Sequence, residues 1–497
     1  MNIRKGSVTV FLSLMLSLMT AMICSGIESA RMAAARTQIL NGMDIGLYSL
    51  FAGYDRGMLE DYDLFVLNGQ SGSGEMDLAS VCNTLEEYMK PVLGQNSQKL
   101  RLEQSGLTGY RLLTDGNGEA FYKQVVAYMK ETIGSQGLQI LMDRMKGREE
   151  KTKEAQSAGE RANEKDSVGS YEAEMDSAAR KSQQAAQEQE AAAQENAQFG
   201  DGSSPALDSI PTAPAEPVDN PITVIRRIMR MGALQLVLPE GKGVSGKTVQ
   251  KRDLVSGRRL QQGMELYDGF SEDNTYSSQL LFQQYMMDRL GNYHNPGSSG
   301  LHYQIEYILE GKNSDLDNLK AIAGKLLLIR EGVNMACLAA DTGKRMQAEA
   351  LAVAIASGFL IPPAAAPIEA ALLFCWSFAE SVLDVRELFA GGKVPLVKSP
   401  SDWQISLENL SSLLEGLDSM RRGAEKGMSY EDYLHVLLMA KSKKEKVMRS
   451  MDMMELAVRN KGRSGFRLDC CICALEAFAD VRANRRKTFQ VIRQYSY

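Results

Sequence analysis

A chain of 497 residues, 44% of them hydrophobic, is long enough for two or three domains with a sizeable core. Its net charge of −6 gives no sign of a nucleic-acid partner, and its seven cysteines, odd in number, do not suggest a disulfide framework. The three histidines lie far apart in sequence, which argues against a His-based metal site or catalytic triad: His294, His302 and His435.

The segment from Gly6 to Ile27 carries no charge and predicts a transmembrane helix. About 20 apolar residues are what a bilayer core requires, and a basic pair stands directly before the segment. A cleaved secretory signal could use Cys24 and Gly26 as its small residues, but the apolar run is long for a signal. A lipoprotein signal needs small residues before Cys24, where methionine and isoleucine stand. We therefore predict that the helix is retained.

Weakly polar residues recur along one face of this helix, at Thr9, Ser13, Ser17 and Thr20, and end at Cys24. Small and weakly polar side chains let membrane helices approach closely and form hydrogen bonds between helices. Alternatively, the hydroxyls bond back to carbonyls of their own helix. The stripe is therefore a possible helix-packing face, and both interpretations stay open.

Several motifs between the N-terminus and the last third of the chain point to one family. They are Arg4-Lys-Gly-Ser-Val-Thr-Val-Phe11 with its apolar run, Glu28-Ser-Ala-Arg31-Met-Ala-Ala-Ala-Arg36, Tyr54-Asp55-Arg56, Asp61-Tyr-Asp-Leu-Phe65, Glu380-Ser-Val-Leu-Asp-Val-Arg386 and Ser429-Tyr-Glu-Asp-Tyr-Leu434. Together they resemble the TadE/TadG-like pilus-associated proteins, in particular a poorly characterised bacterial branch of large TadG-like proteins found with tight-adherence pilus genes. The resemblance covers most of the chain outside one linker.

The resemblance implies a pilin-like N-terminal helix and prepilin-type processing. A prepilin peptidase cuts such proteins after a glycine, so Gly6 and Ser7 form a possible processing site. The chain departs from the pattern at Phe11, where many type IV pilin-like proteins carry a glutamate that pairs with a neighbour's amine. The implied partners are the membrane and, through the N-terminal helix, other pilin-like or pilus-assembly proteins.

Residues 28–67 predict an amphipathic stalk that continues the membrane helix, because their apolar residues keep near-helical spacing as far as Leu59. Glycines weaken this helix locally, at positions 42, 46, 53 and 57.

Residues 68–146 predict a small ordered region. Its elements are a helix from Asp77 to Leu93, a strand pair from Gln98 to Leu113 turned at Gly106 and Gly109, and a helix from Glu119 to Lys146 interrupted near Gly134 and Gly137.

Residues 147–220 predict a disordered linker or insertion. Glu, Lys, Gln, Ala and Ser dominate the segment, and its only aromatic residues are Tyr171 and Phe199. Such a composition buries too little apolar surface to offset the entropy of ordering. The part before about Gln198 favours transient helix, and the Pro-rich tail from Pro205 to Pro221 favours an extended chain.

Residues 221–497 predict an α-rich C-terminal domain. Its predicted helices are Thr275 to Arg289, Ser314 to about Ala340, Thr342 to Phe359, Ser429 to about Lys444, Lys446 to Arg459 and Phe466 to Arg482; its predicted strands are Leu234 to Leu238, Leu301 to Leu309 and Thr488 to Tyr497. The uncharged run from Ala350 to Ile368 raises the alternative of a second membrane insertion. Because Pro362 and Pro363 interrupt it, we favour a buried helical hairpin over residues 350–379.

Residues 241–248, Gly-Lys-Gly-Val-Ser-Gly-Lys-Thr, match the phosphate-binding P-loop pattern in full. In that pattern Lys247 would reach the outer phosphates and Thr248 would bind Mg²⁺. However, no firm helix follows, and no apolar strand ending in aspartate is present to hold the metal. A Gly-rich surface turn is the preferred interpretation.

The remaining chemically suggestive residues have structural explanations. The cluster Cys470-Cys471-Ile472-Cys473 lacks zinc-ligand spacing and predicts buried thiols on an apolar helix. Four acids stand near apolar segments and are interpreted as caps and surface charges: Glu306, Asp315, Asp317 and Asp384. The lysines between Lys441 and Lys446 predict a solvated helix face.

The sequence thus predicts an α+β, mostly α-helical protein with one N-terminal transmembrane helix and its bulk outside the cytoplasm. We expect a structural or accessory, pseudopilin-like component of a tight-adherence-type pilus apparatus in the cell membrane. The alternative is an unassembled membrane-anchored surface scaffold, and a nucleotide-binding protein using residues 241–248 is the remote one. We expect no enzymatic activity, no catalytic or metal-ligating residues and no cofactor.

Overall fold

The structure is a computed structural model. It describes residues 3–71, 74–94, 100–164, 169–177, 180, 184, 220–264, 266, 273–298, 300–358, 364–417, 427–483 and 487–497. The chain divides into two compact units, each assembled from separated stretches. Unit 1 contains Met1–Leu138, Gln250–Arg289 and Ser442–Tyr497, and unit 2 contains Gln139–Val249 and Leu290–Lys441.

Helices dominate both units, as the sequence predicts for an α+β protein. The helices are α1 Ile3–Phe51, α2 Arg56–Tyr62, α3 Leu78–Gly94, α4 Asp115–Glu164, α5 Pro221–Met229, α6 Ala233–Val237, α7 Tyr276–Arg289, α8 Gln304–Glu310, α9 Asp315–Ala340, α10 Thr342–Gly358, α11 Ala365–Ala390, α12 Leu413–Gly416, α13 Tyr430–Ala440 and α14 Lys443–Asn460. The strands are β1 Leu67–Asn68, β2 Arg101–Leu112, β3 Cys471–Ala483 and β4 Lys487–Ser496. Helix α4 is broken at Gly134, where φ is 69°.

Helix α1 has two halves with opposite surroundings. Between Val8 and Ile27 its large apolar side chains are exposed, for example Leu16 at 68% and Met22 at 75%. From Ala35 onward one face is buried in the core of unit 1. It is the one helix among the described residues that is long and apolar enough to cross a membrane.

The second half of α1 packs on α3 and on an antiparallel sheet. In this sheet β3 pairs with each of the other three strands. Alternate residues of β3 face the core with α1 and α3: Leu475, Ala477, Ala479, Val481 and Ala483. The period of two is what a strand with one buried face requires.

Two glycines let α1 and α3 approach each other closely. A Cβ atom on Gly46 would lie 2.6 Å from Met89 Cγ, and one on Gly42 would lie 3.2 Å from Leu93 Cδ2. These glycines therefore serve packing, which compensates for their low helix propensity.

The sequence predicts that this helix continues as far as Leu59, and that boundary is wrong. Helix α1 ends at Phe51, and Asp55 caps the separate helix α2.

Unit 2 is organised around α9 and α11, which pack on each other. Helix α9 begins at the cap Ser314, whose Oγ accepts a hydrogen bond from the Asp317 backbone, as the sequence predicts. Helix α11 is buried along most of its length, and α10 packs against it. A helical hairpin over residues 350–379 is thus present, while Pro362 and Pro363 lie outside the described residues.

Four predicted elements are wrong. Leu234 to Leu238 lies in helix α6, and Leu301 to Leu309 lies mostly in helix α8, whose residues from Gln304 to Leu309 are all buried. Short apolar runs do not distinguish a strand from a buried helix. Residues 101–112 form one continuous strand, because Gly106 makes room for the Phe478 ring instead of turning the chain.

The fourth wrong element is the helix predicted from Phe466 to Arg482, most of which is strand β3. Its Ala, Leu and Glu residues favour a helix intrinsically, but tertiary packing overrides such weak preferences. The strand predicted from Thr488 to Tyr497 is confirmed as β4.

The five consecutive segments 1–27, 28–67, 68–146, 147–220 and 221–497 remain a prediction about domain behaviour. Most of the predicted linker lies outside the described residues, but its beginning is helical through Glu164 and again over residues 169–177. Thr152, Ala155 and Tyr171 are buried there.

Candidate functional site

Four charged side chains form a buried ionic cluster inside unit 2. Arg330 comes from α9, Glu380 and Asp384 come from successive turns of α11, and Lys398 comes from the loop after α11. None of the four side chains is more than 1% exposed. The spacing of four residues puts both carboxylates on one face of α11, where they meet the two cations.

The geometry pairs each carboxylate with a cation. Arg330 Nε donates to Asp384 Oδ2 at 3.0 Å, and Lys398 Nζ lies 2.6 Å from Asp384 Oδ1. Lys398 Nζ also donates to Glu380 Oε1. Asn334 Nδ2 donates to Asp384 Oδ2 at 3.0 Å. The cluster therefore contains two positive and two negative groups that neutralise one another.

The pKa values of the two carboxyls of α11 are shifted in opposite directions. Burial alone would raise the pKa of Asp384, but Arg330 and Lys398 outweigh it and hold this pKa below its usual range. Burial raises the pKa of Glu380, although Lys398 counteracts it. Of the two carboxyls, Asp384 is thus the more firmly ionised.

The cluster also fixes the loop that follows α11. Glu380 Oε2 accepts a hydrogen bond from the Ile405 backbone at 3.0 Å, and its Oε1 accepts one from the Gln404 backbone at 3.0 Å. Arg330 Nη1 donates to the Pro395 carbonyl at 2.9 Å. Because these side chains are buried and joined in ion pairs, their arrangement is suited to positioning the loop and not to acid–base chemistry on a substrate.

A cavity of about 760 Å³ lies beside the cluster, also within unit 2. Lys398 belongs to both, since it lines the cavity and bonds the two carboxylates of α11. The other lining residues come from α4, the end of α9, the start of α10 and the loop, among them Val333, Cys337, Val397 and Trp403. It has the size of a small-molecule pocket and a mostly apolar wall.

The P-loop-like residues 241–248 do not adopt the strand–loop–helix arrangement of that motif. Helix α6 precedes them, and a short turn of 3₁₀ helix, Lys251–Asp253, follows. Ser245 Oγ donates to Asp315 Oδ2 at 2.6 Å, and the Lys247 carbonyl accepts a hydrogen bond from the Asp315 backbone at 3.0 Å. The loop therefore straps the start of α9, while the Lys247 side chain is exposed.

The N-terminal residues singled out from the sequence all lie in α1. Ser13 Oγ donates to the Val10 carbonyl at 2.9 Å and Thr20 Oγ1 donates to the Leu16 carbonyl at 2.7 Å, so at these positions the bond to the own helix is the one observed. Thr9 and Ser17 are exposed on the same helix. Gly6 and Ser7 lie in its first turns.

The interpretation of the four acids as caps and surface charges is wrong for three of them. Glu306, Asp315 and Asp384 are wholly buried, and Asp317 alone is exposed, in the first turn of α9, where its Oδ2 accepts a hydrogen bond from the Ser314 hydroxyl at 2.7 Å. Burial raises the pKa of Glu306 to about 7, although the Tyr430 hydroxyl donates a hydrogen bond to it at 2.7 Å.

Cys470, Cys471 and Cys473 are buried, as predicted, but they lie at the start of strand β3 and just before it. Burial raises the pKa of Cys470 to about 11 and that of Cys473 to about 12, so both thiols stay protonated at neutral pH. Among the described residues, no group of three or more His, Cys, Asp or Glu side chains is arranged to hold a metal ion.

The lysines 441–446 are not a uniformly solvated face. Lys446 is 1% exposed, and Lys443 Nζ donates to Glu119 Oε2 at 2.5 Å within unit 1.

The sequence alone gives no indication of Arg330, Lys398 and Trp403 as site residues. A signal existed for the cluster, since Glu380 and Asp384 are the only charged residues of the stretch from Ala370 to Val385 and are four residues apart.

No match to the chain is found among curated proteins or among solved structures. Residues 212–483 match the family described as "Family of unknown function (DUF5702)", which covers more than half of the chain. The matched range includes the ionic cluster and strand β3, whereas β1, β2 and β4 lie outside it. The chain therefore belongs to this family of unknown function.

Proposed function

We propose that the protein is a membrane-anchored, extracytoplasmic structural component of a tight-adherence-type pilus apparatus, with a pseudopilin-like role. The observation that carries the proposal is the continuity of α1 from an exposed apolar half into the core of unit 1. Helix α1 runs unbroken from Ile3 to Phe51, and none of its residues has a positive φ.

The exposed half of α1 favours a bilayer on energetic grounds. Its side chains from Val8 to Ile27 include ten further large apolar residues that are at least 48% exposed. Burying one such side chain stabilises by about 1.5–3 kcal/mol, so transfer of this half into lipid is strongly favourable. The second half then holds unit 1 directly on the anchor, as a structural component requires.

The pilus assignment depends on the resemblance of the N-terminal residues to TadE/TadG-like proteins. The second candidate is an unassembled membrane-anchored scaffold, and two observations favour it. Phe11 stands where a pilin-like glutamate would pair with a neighbour, and the hydroxyls of Ser13 and Thr20 bond within their own helix. The two candidates differ in processing and in assembly.

N-terminal sequencing of the mature protein, combined with cell fractionation, tests the proposal. We expect the mature chain to begin at Ser7 and to remain in the membrane fraction. Gly6→Leu should block processing and exclude the protein from any fibre. Gly26→Leu is the matched control, because a side chain there meets nothing within 4 Å and should leave processing intact.

Each alternative outcome has a definite meaning. A mature chain that begins near Ile27 would contradict a retained helix and the pilin-like role together. An intact N-terminus in the membrane fraction would favour the scaffold. Arg4 and Lys5 favour a cytoplasmic N-terminus by the positive-inside rule, although Arg31 and Arg36 flank the other side. The resemblance to TadE/TadG-like proteins tips the balance towards a bulk that lies outside the cytoplasm. External protease should therefore degrade the region after Glu28.

A further inference from the structure

The cavity of unit 2 has a lining that selects one class of ligand. Its wall is mostly aliphatic, with Ala155, Val333, Leu396 and Val397 among its residues. Val397 is 63% exposed, so the cavity is reached from the surface. Its volume of about 760 Å³ lies within the range of roughly 300–1,000 Å³ that is typical of small-molecule sites.

Three of the five charged side chains that line the cavity are already in ion pairs. Lys344 Nζ lies 2.9 Å from Asp341 Oδ2, and Lys398 is held by the two carboxylates of α11. Lys151 and Glu154, one of each sign, complete the charged residues of the lining. Lys151 and Glu154 are exposed to water, so a charged ligand inside the cavity would lose its hydration next to charges that are already paired. An uncharged ligand is therefore favoured.

The aromatic residue of the cavity is not free for stacking. Lys344 Nζ and Lys398 Nζ lie 5.5 Å and 5.6 Å from the centroid of the Trp403 ring. Within about 6 Å these ammonium groups are attracted to the ring face and occupy the space over it. The wall that remains accessible is aliphatic, which favours an alkyl chain over an aromatic ring.

We propose that this cavity binds an uncharged alkyl or acyl chain. The shared chemistry is a flexible aliphatic chain, supplied either by a membrane lipid or by a free amphiphile. The proposal is independent of the assignment to a pilus, because it follows from the lining of unit 2 alone.

The two tryptophans make the cavity observable by fluorescence. Trp403 lines the cavity, and Trp376, 1% exposed, is the other tryptophan of the chain. Bromine quenches indole fluorescence on contact, so we would titrate the full chain in phosphatidylcholine nanodiscs with ω-bromo alcohols. The free concentration for half-quenching should fall by about fourfold for each added methylene, the effect expected for burying one CH₂.

Four variants locate the bound chain. Val397→Asp places a charge in the aliphatic wall. It should raise the free concentration for half-quenching at least about tenfold, because an alkyl chain bound beside an unpaired carboxylate would remove its hydration. Val353→Asp is the matched control, since Val353 is a 49% exposed valine of unit 2 that does not line the cavity. Ala336→Phe should reduce binding by filling the cavity. Trp403→Phe should abolish the quenching and leave the Trp376 emission.

Two further arms identify the source and the limits of the site. Nanodiscs of brominated phosphatidylcholine should quench Trp403 if a membrane lipid supplies the chain, and only the soluble alcohols should quench it if a free amphiphile does. Bromo-carboxylates of equal length should bind more weakly than the alcohols. Absence of quenching in both arms, or equal quenching of wild type and Val397→Asp, would overturn the proposal.

Discussion

Each unit contains a buried ionic cluster, and the two clusters differ in their access to water. In unit 1, Glu455 and Asp469 are buried, but the arginines around them reach solvent, with side-chain exposures of 13% for Arg258, 21% for Arg459 and 30% for Arg467. In unit 2, no member of the cluster is more than 1% exposed. Unit 1 therefore solvates its cations, whereas unit 2 depends on internal pairing alone.

This difference teaches where the removal of one charge is most costly. A buried charge that loses its partner bears the full cost of desolvation, while one beside hydrated cations can be compensated by the others. In unit 1 three arginines serve two carboxylates. In unit 2 the numbers are equal, so no spare cation exists within the cluster.

The largest effect is expected for Arg330→Met in unit 2. It leaves one carboxylate of the cluster uncompensated and should lower the free energy of unfolding by about 3–5 kcal/mol. Denaturant unfolding followed by tryptophan fluorescence measures it, because both tryptophans lie in unit 2. Arg330→Met combined with Asp384→Asn restores charge balance and should recover part of the loss. A cost below about 1 kcal/mol, the value of an exposed pair, would contradict the buried geometry.

The next effect concerns pH, to which one buried acid of unit 2 and one of unit 1 respond in opposite directions. Burial raises the pKa of Glu306 in unit 2 from 4.5 to about 7. Between these values the folded state holds the proton and the unfolded state does not, so stability falls as pH rises through this range. The shift corresponds to about 3 kcal/mol. Relative to Glu306→Gln, the wild type should therefore gain stability on going from pH 8 to pH 5.

Asp469 in unit 1 provides the opposite sign. Burial would raise its pKa, but hydrogen bonds from Arg467, the Gln261 backbone and Arg258 outweigh it and hold the pKa at about 2. The stability it contributes is present above its unfolded pKa of 3.8 and is lost as pH falls towards 2. Near-ultraviolet circular dichroism of wild type and Asp469→Asn checks this. If acid stabilised unit 1, the assignment of these contacts would be wrong.

A smaller effect is expected for Arg258→Met in unit 1. Arg258 donates to Glu455 Oε2 and to Asp469 Oδ1, both at 2.7 Å, and its loss should cost about 1.5–3 kcal/mol. Arg459 and Arg467 remain beside the same carboxylates and limit the damage. Hydrogen exchange of the β3 amides measures the change. A cost equal to that of Arg330→Met would erase the distinction between the two clusters.

How much the sequence could reveal also differs from one element to the next. The apolar helix α1, the capped helix α9 and strand β4 follow from local patterns, because hydropathy, caps and alternation act over a few residues. The sequence predicts a helix where the structure has strand β3, because the alanines of this segment give only a weak alternation of apolar and polar residues. Its strand conformation depends on pairing with β2 and β4, which are distant in sequence.

The candidate site was largely beyond sequence reasoning. Arg330, Asp384 and Lys398 come from three separate segments, and their pairing depends on the packing of α9 on α11. The cavity is likewise lined by parts of α4, α9, α10 and a loop. A single sequence carries the charges but not the distances between them, so Asp384 reads as a surface acid until burial is known.

The smallest expected effect compares the two halves of α1, of which one packs against α3 and the other is exposed. Gly46→Ala places a Cβ atom 2.6 Å from Met89 Cγ, so α3 must shift. Overpacking costs about 1–3 kcal/mol, and the better helix propensity of alanine returns up to ~1 kcal/mol. Unit 1 should therefore lose about 1 kcal/mol, as measured by hydrogen exchange of β3. Gly26→Ala in the exposed half meets nothing within 4 Å and should leave this exchange unchanged. A stabilising Gly46→Ala would mean that α1 and α3 do not approach each other at this glycine.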